Sequence, residues 1–318
     1  MINAINLGDN SETKIDSKSL QSLDLNNVWL EVVDPAEKEL QDVADKIGLS
    51  KHFLELPKTD IVNLRLEDTF SIVNFLVVEE ITSNYKSQPM IFVSSKAFLI
   101  TVSTESIKPI MDLAKERMNK MKVDPPAQVA YFIIDEIVSG HFSQLAKIEE
   151  LTATIEEEVV EKSSPDTLKK IFNLKSKLVS FNKTLWYERG LIFNLRTCGD
   201  ACMPAKARSL FDTTHEDLTR QIDIVETYRE IMSDAINVHL SAVSNKINMS
   251  IQSLTIVIFY LTIITTVTSF PNTVATFFGI ARFGSTDVWI ILIAISLSTI
   301  LPFIWLWRKN WLKYRSNL

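Results

Sequence analysis

From Ile247 to Ala281 the chain runs for 35 residues without an Asp, Glu, Lys or Arg, longer than the roughly 20 apolar residues that cross a bilayer. The run predicts a helix that spans the membrane and extends beyond it, with its core at Thr255 to Ala281. At about 100° per residue, one side of that helix carries Thr255, Ile258, Thr262, Thr265, Thr266, Ser269, Asn272, Thr273 and Thr276, of which only Ile258 is apolar. The rest of the circumference carries Ile256, Val257, Leu261, Ile263, Ile264, Val267, Phe270, Val274 and Phe277, with Tyr260 and Thr268 as its main exceptions. A hydroxyl stripe has two readings at this stage. It packs against another helix in a dry seam, or it lines a water-filled path.

A second uncharged stretch, Val288 to Trp307, is followed by Arg308, Lys309, Lys313 and Arg315. The positive-inside bias then puts the C-terminus, and with two spans the N-terminus, in the cytoplasm of a cell whose plasma membrane holds the chain. Trp289, Trp305, Trp307 and Trp311 sit where interfacial aromatics are expected. Two helices cannot enclose a water path, so conduction requires several copies, with first spans around the axis and second spans facing lipid.

Ahead of the spans, β-prone runs at Val28 to Val33, Ile61 to Leu66, Phe70 to Val78, Met90 to Val93 and Phe98 to Val102 predict strands. Pro35 to Ile47 has helical spacing and ends at Gly48. After Pro125-Pro126 the periodicity is helical. Ala127 to Glu161 ends in an acidic tip of Glu156, Glu157, Glu158 and Glu161, and Ser164-Pro165-Asp166 starts a returning helix. From Pro204 to Phe278 no glycine intervenes and only Pro271 interrupts. One helix over that stretch is about 110 Å long, a stalk continuing into the membrane. Pro271 frees the Val267 carbonyl, which predicts a kink near the outer end. The expected architecture is α+β: a cytoplasmic α/β domain over 1–125, a cytoplasmic helical hairpin over 126–203, a stalk helix over 204–253, a pore helix over 254–280, an outer loop over 281–287, a second span over 288–307 and a basic cytoplasmic tail over 308–318.

Composition removes several functions. With 39 Asp and Glu against 33 Lys and Arg, nucleic-acid binding has no electrostatic basis. Seven glycines and no GxGxxG or P-loop pattern argue against nucleotide chemistry and an organic cofactor. Cys198 and Cys202 read as reduced thiols, and His52, His141, His215 and His239 are far apart, so no enzyme constellation is visible. The N-terminal stretch lacks signal or transit character. A stripe of hydroxyls and amides strips little water from an ion, which suits a cation that crosses hydrated, such as magnesium.

Leu240 to Ile256 (LSAVSNKINMSIQSLTI) and Phe270 to Gly284 (FPNTVATFFGIARFG), together with Phe98 to Val102 and Gln128 to Phe142, resemble the CorA family of magnesium channels, and the resemblance covers nearly the whole chain. It implies a homopentameric funnel with the first span lining the pore and magnesium as transported and regulatory ion. Where the family ends its first span in Gly-Met-Asn, this chain has Gly279-Ile280-Ala281, so the asparagine that accepts hydrated ions is replaced by a methyl group. Arg282 follows, a positive charge at the mouth that Asp287 or lipid phosphate would have to neutralise. The related ZntB zinc transporters keep the asparagine. The resemblance gives Thr255, Thr262, Thr265, Ser269, Asn272 and Thr276 as pore lining, Ile258 as an apolar constriction, and Glu79, Glu80, Asp217 and Asp223 as regulatory metal ligands. Three functions are weighed: a divalent-cation channel, a transporter of a different ion such as zinc or an anion drawn by Arg282, and a nonconducting membrane scaffold or sensor.

Overall fold

The structure is a computed structural model describing residues 1–58, 61–67, 70–118, 125–161, 164–198 and 205–277, and the helical positions 289, 290, 293, 296, 297, 300 and 304. The elements, numbered in chain order, are β1 (Ile2–Asn6), β2 (Glu12–Ile15), α1 (Ser17–Ser22), β3 (Val28–Val33), α2 (Glu37–Ile47), β4 (Asn63–Leu66), β5 (Ser71–Glu80), β6 (Lys86–Ser94), β7 (Phe98–Ser103), α3 (Lys108–Met118), α4 (Pro125–Glu161), α5 (Pro165–Thr197) and α6 (Ala205–Phe277). Two compact units divide at Leu240 and Ser241.

In the first unit, seven strands form one sheet in the order β2-β1-β3-β7-β6-β5-β4, antiparallel except for the parallel pair β3–β7. The predicted strands all form, within a few residues at their ends. Their near-continuous apolar character has a direct cause: the sheet is covered on both faces. Val28, Leu30 and Val32 of β3 join Ile100 and Val102 of β7 in a cluster with Leu40, Val43 and Ala44 of α2. Trp29, one step out of phase, belongs with Leu99, Phe75 and Phe92 to a second cluster containing Met111 and Ala114 of α3 and Ile133, Ile134 and Ile137 of α4.

The polar groups placed on the buried sheet are paired. The Trp29 indole donates to the Thr101 hydroxyl at 3.0 Å. Glu31, 3% exposed, accepts from the Asn3 amide at 3.1 Å and from Lys115 Nζ at 2.9 Å. The pair ties β1, β3 and α3 together. Burial works to lower the Lys115 pKa, but its hydrogen bond and charge interaction with Glu31 overcome this and raise it.

The strand pair β1–β2 and the helices α1 and α3 are not anticipated by the sequence pattern. In β1, Ile2 and Ala4 face one cluster while Ile5 faces the other. Gly48 closes α2 at φ 70°, the left-handed conformation that glycine adopts without a Cβ clash.

The helices after Pro125 follow the predicted hairpin. Ser164 caps α5 by accepting from the Thr167 amide at 3.2 Å, with Pro165 in the first turn. At the acidic tip, Glu158 accepts from Lys170 at 2.6 Å. Phe211, Leu218, Ile222, Val225 and Met232 of α6 are buried in the same cluster as Leu145 and Ile148 of α4 and Leu174, Leu178 and Leu185 of α5. Within the first unit these three helices therefore form one apolar core with the sheet.

Replacing Lys115 with Met leaves the Glu31 carboxylate buried beside a neutral side chain. The variant is expected to lose about 2 kcal/mol, less than the roughly 3–5 kcal/mol for breaking a fully buried pair because Lys115 is part exposed. Denaturant unfolding of the full chain measures this, and adding Glu31→Gln should recover most of the loss.

Candidate functional site

Past Leu240, α6 belongs to the second unit and continues without a break in its helical assignment through Pro271 to Phe277. Among the described residues it is the one helix long and apolar enough to cross a membrane. Val257, Ile258, Leu261 and Ile264 are each at least half exposed, and no described residue covers them. For a helix of this composition, lipid or further protein is the only medium in which that exposure is stable.

Every threonine of the span that carries a described hydroxyl bond gives it to its own helix. Thr255 donates to Ile251 at 2.8 Å, Thr262 to Ile258 at 2.8 Å, Thr265 to Leu261 at 2.9 Å and Thr266 to Thr262 at 2.7 Å. Thr268 donates to Ile264 at 2.9 Å, Thr273 to Ser269 at 2.9 Å and Thr276 to Asn272 at 2.7 Å. This back-bonding makes the hydroxyls compatible with a low-dielectric surround. It also fixes what they present outward. With the hydrogen engaged on a carbonyl, the oxygen keeps its lone pairs, so the threonines of the stripe present acceptors.

Thr255, Ile258, Thr262, Thr265, Ser269, Asn272 and Thr276 are all exposed on α6. Gly279, Ile280, Ala281, Arg282 and Asp287, most of the second span, and Cys202 lie outside the described residues.

Of the four carboxylates considered as regulatory ligands, three are individually engaged. Glu79 pairs with Lys86 at 2.5 Å. Burial acts to raise its pKa, but hydrogen bonds from Lys86, Ser106 and Gln88 and the charge of Lys86 lower it. Glu80 folds back on its own turn, accepting from the Thr82 amide at 2.7 Å and the Ile81 amide at 3.0 Å. The Thr82 side-chain bond, then that amide, hold its pKa down at about 2 against a small burial penalty. Asp217 lies 3.8 Å from Arg220, and Asp223 is exposed. Among the described residues no three His, Cys, Asp or Glu side chains converge as a metal centre.

The histidines do not form a common site either. His141, however, meets two partners that sequence reasoning left unconnected: Gln221 of α6, with its Oε1 3.2 Å from His141 Nδ1, and Glu188 of α5, with its Oε2 3.7 Å from the same nitrogen.

A sheet domain and a helical hairpin share this chain with a helix long and apolar enough to cross a membrane, the architecture of a membrane-anchored protein. The chain belongs to the CorA-like Mg2+ transporter family, whose sequence pattern it matches over residues 24–309; this is a family of transporters, not of enzymes. It is similar to the "Cobalt/magnesium transport protein CorA" of Thermotoga maritima, 27% identical over 231 residues covering 68% of this chain and 65% of that one. It is also similar to the protein of the same name from Methanocaldococcus jannaschii, 23% identical over 94% of this chain and 95% of the relative. The chain thus spans just under two thirds of the first relative and nearly all of the second. In fold it is similar to the complete structure of the CorA magnesium transporter from Methanocaldococcus jannaschii, with a TM-score of 0.73 at 19% identity over 98% of each chain.

Glu80 gives an acid-side prediction. Its folded pKa of about 2 lies below the ordinary 4.5, so the stability it contributes is present above pH 4.5 and lost as pH falls towards 2. The melting-temperature gap between wild type and Glu80→Gln should be full at pH 6 and close as the pH falls; a gap independent of pH would contradict the assignment.

Proposed function

We propose that this chain forms a homopentameric channel in the plasma membrane that passively moves divalent cations, magnesium first among them. Each copy crosses the membrane twice with both termini cytoplasmic. The names of the relatives, which specify cobalt and magnesium transport, support the ion class.

The observation that carries the reading is the acceptor column on α6. A hydrated cation turns the hydrogens of its shell outward and needs acceptors; a hydrated anion turns oxygens outward and needs donors. Threonines whose hydrogens are already engaged on the helix serve the first and not the second. Several copies of α6 with this face inward would form rings of oxygen at Thr255, Thr262, Thr265, Ser269 and Thr276, with Ile258 as an apolar ring that closes the path by dewetting. Magnesium gives up its water reluctantly, so acceptors that hold the shell without stripping it are the appropriate lining.

Selectivity is the point at which this chain departs from its family. Ala281 offers no hydrogen-bond acceptor where the family has asparagine, and Arg282 adds positive charge beside it. On this reading Asn272, the nearest amide on the stripe, takes over reception of the hydrated ion, and Asp287 offsets Arg282. The same two residues favour the second reading, a transporter of another ion. The resemblance also supports regulation by magnesium through Glu79, Glu80, Asp217 and Asp223.

Purified protein in liposomes should take up Mg2+ down its gradient, and Thr262→Val with Thr266→Val should cut the flux by about tenfold while the pentamer stays intact. Reversal potentials under opposed magnesium and chloride gradients separate the readings, since a potential that follows chloride defeats the cation channel. An intact pentamer without any flux would establish the scaffold instead. Ala281→Asn should raise Mg2+ flux several-fold if the missing amide limits entry.

A further inference from the structure

His141 on α4, Glu188 on α5 and Gln221 on α6 meet inside the bundle of the first unit, at 1%, 0% and 0% exposure. They come from three helices, and none of them lies on the stripe of the span. Gln221 settles the arrangement. Its Nε2 donates to the Val138 carbonyl at 2.8 Å, which leaves its Oε1 facing His141 Nδ1 at 3.2 Å as an acceptor. Nδ1 therefore carries hydrogen, and Nε2 is left as the acceptor of the neutral ring. That nitrogen has no hydrogen-bond partner, and neither oxygen of Glu188 has one. Phe181 stands edge-on to the imidazole with ring centres 5.4 Å apart, and Leu145, Leu185 and Leu218 belong to the surrounding apolar cluster.

A lone charge in such a place is costly, and among the described residues no third group is placed to share it. The charged side chains on adjoining turns are engaged elsewhere. On α4, Asp135 and Glu136 bind Arg117, and Lys147 lies 3.9 Å from Glu80. On α5, Lys183 stacks over Tyr187 and Arg189 over Trp186. On α6, Asp217 pairs with Arg220 and Glu226 with Arg229, while His215 is half-buried and Asp223 exposed. From the sheet, Glu79 and Glu80 are held by Lys86 and their own turn. The two side chains have only each other to balance charge.

We propose that His141 and Glu188 form a buried proton-binding site that holds one proton between them and ties closure of the α4–α5–α6 bundle to pH. Whether the proton rests on the carboxyl group, leaving both neutral, or on the imidazole, leaving an ion pair, the net charge is zero. Losing it leaves a bare carboxylate in an apolar core. Burial pushes the Glu188 pKa well above 4.5 and, against the Gln221 hydrogen bond, pulls that of His141 down to about 4, in keeping with one retained proton.

The proton count gives the sign. In the unfolded chain, with ordinary values of 4.5 and 6.5, the pair binds one proton between those pH values and none above 6.5. The folded pair keeps one throughout. Stability from the site is therefore level between 4.5 and 6.5 and falls above 6.5, with the unfolding equilibrium rising up to about tenfold per pH unit.

The test is thermal unfolding of the full-length chain in detergent between pH 5 and 9, for wild type, Glu188→Gln and His141→Gln. Wild type should hold its midpoint to about 6.5 and then decline. Glu188→Gln, whose amide has no proton to lose, should remove the alkaline decline. His141→Gln should keep a decline but begin it near 4.5, because the unfolded chain no longer holds a proton on the imidazole. Parallel profiles for the three proteins would overturn the proposal. An infrared carboxylic-acid C=O band at pH 7 that disappears in Glu188→Gln would support it independently, even should one variant fold poorly. Should Co2+ bind the wild type with release of one proton, and not bind Glu188→Gln, the site holds a metal and the proposal fails.

Discussion

Every polar hydrogen carried into a bilayer has to be satisfied by protein, and the threonines of this chain's span meet that demand within a single helix. Seven threonine hydroxyls between Thr255 and Thr276 return to carbonyls one turn behind them. The helix is thereby independent of neighbours for its internal bonding. The outward chemistry of those threonines follows from the same bonds: lone pairs turned outward, their hydrogens engaged, and no charge. A stripe of serines and threonines meant only for packing would meet the first condition equally. The second bears on the proposed channel, where lone pairs turned to a shared axis would meet the outward hydrogens of a hydrated cation.

Much of the fold was legible because it rests on local patterns. Strands covered on both faces need apolar residues at nearly every position, and β3, β5, β6 and β7 show this in their sequences. Ser164-Pro165 and Gly48 announce their helix ends by cap chemistry alone. The first strand pair was harder to see. β1 contributes to both faces of the sheet, yet its sequence INAIN is broken by a polar residue, because Asn3 reaches into the core to meet Glu31. Polar residues in a strand normally mark a solvated face, so the pattern misleads wherever a buried carboxylate needs partners.

The histidine–glutamate pair was not legible at all. His141 and Glu188 lie on different helices, and Gln221 is 80 residues beyond His141. Each occupies a position in its helix that periodicity assigns to the core, so the pattern predicts burial and says nothing about which polar groups will meet. The same limit applied to the four carboxylates Glu79, Glu80, Asp217 and Asp223. The resemblance singled them out as regulatory ligands, whereas the structure engages three of them with a nearby lysine or arginine or with their own turn.

The departure at Gly279-Ile280-Ala281 bears on the proposed channel through hydration rather than charge. An asparagine ring and a threonine ring both present oxygen to the outer shell of a hydrated ion, and they differ in reach and dipole more than in kind. Losing one ring removes a place where the ion pauses before entry; it does not change the sign of what the deeper rings accept. Arg282 acts differently, since its field extends over about 8 Å at physiological ionic strength and falls on an approaching cation before any contact forms. In the proposed channel, a chain with this pair of residues should therefore differ from its relatives mainly in how fast ions arrive, while the α6 threonines would still set which sign of ion is solvated.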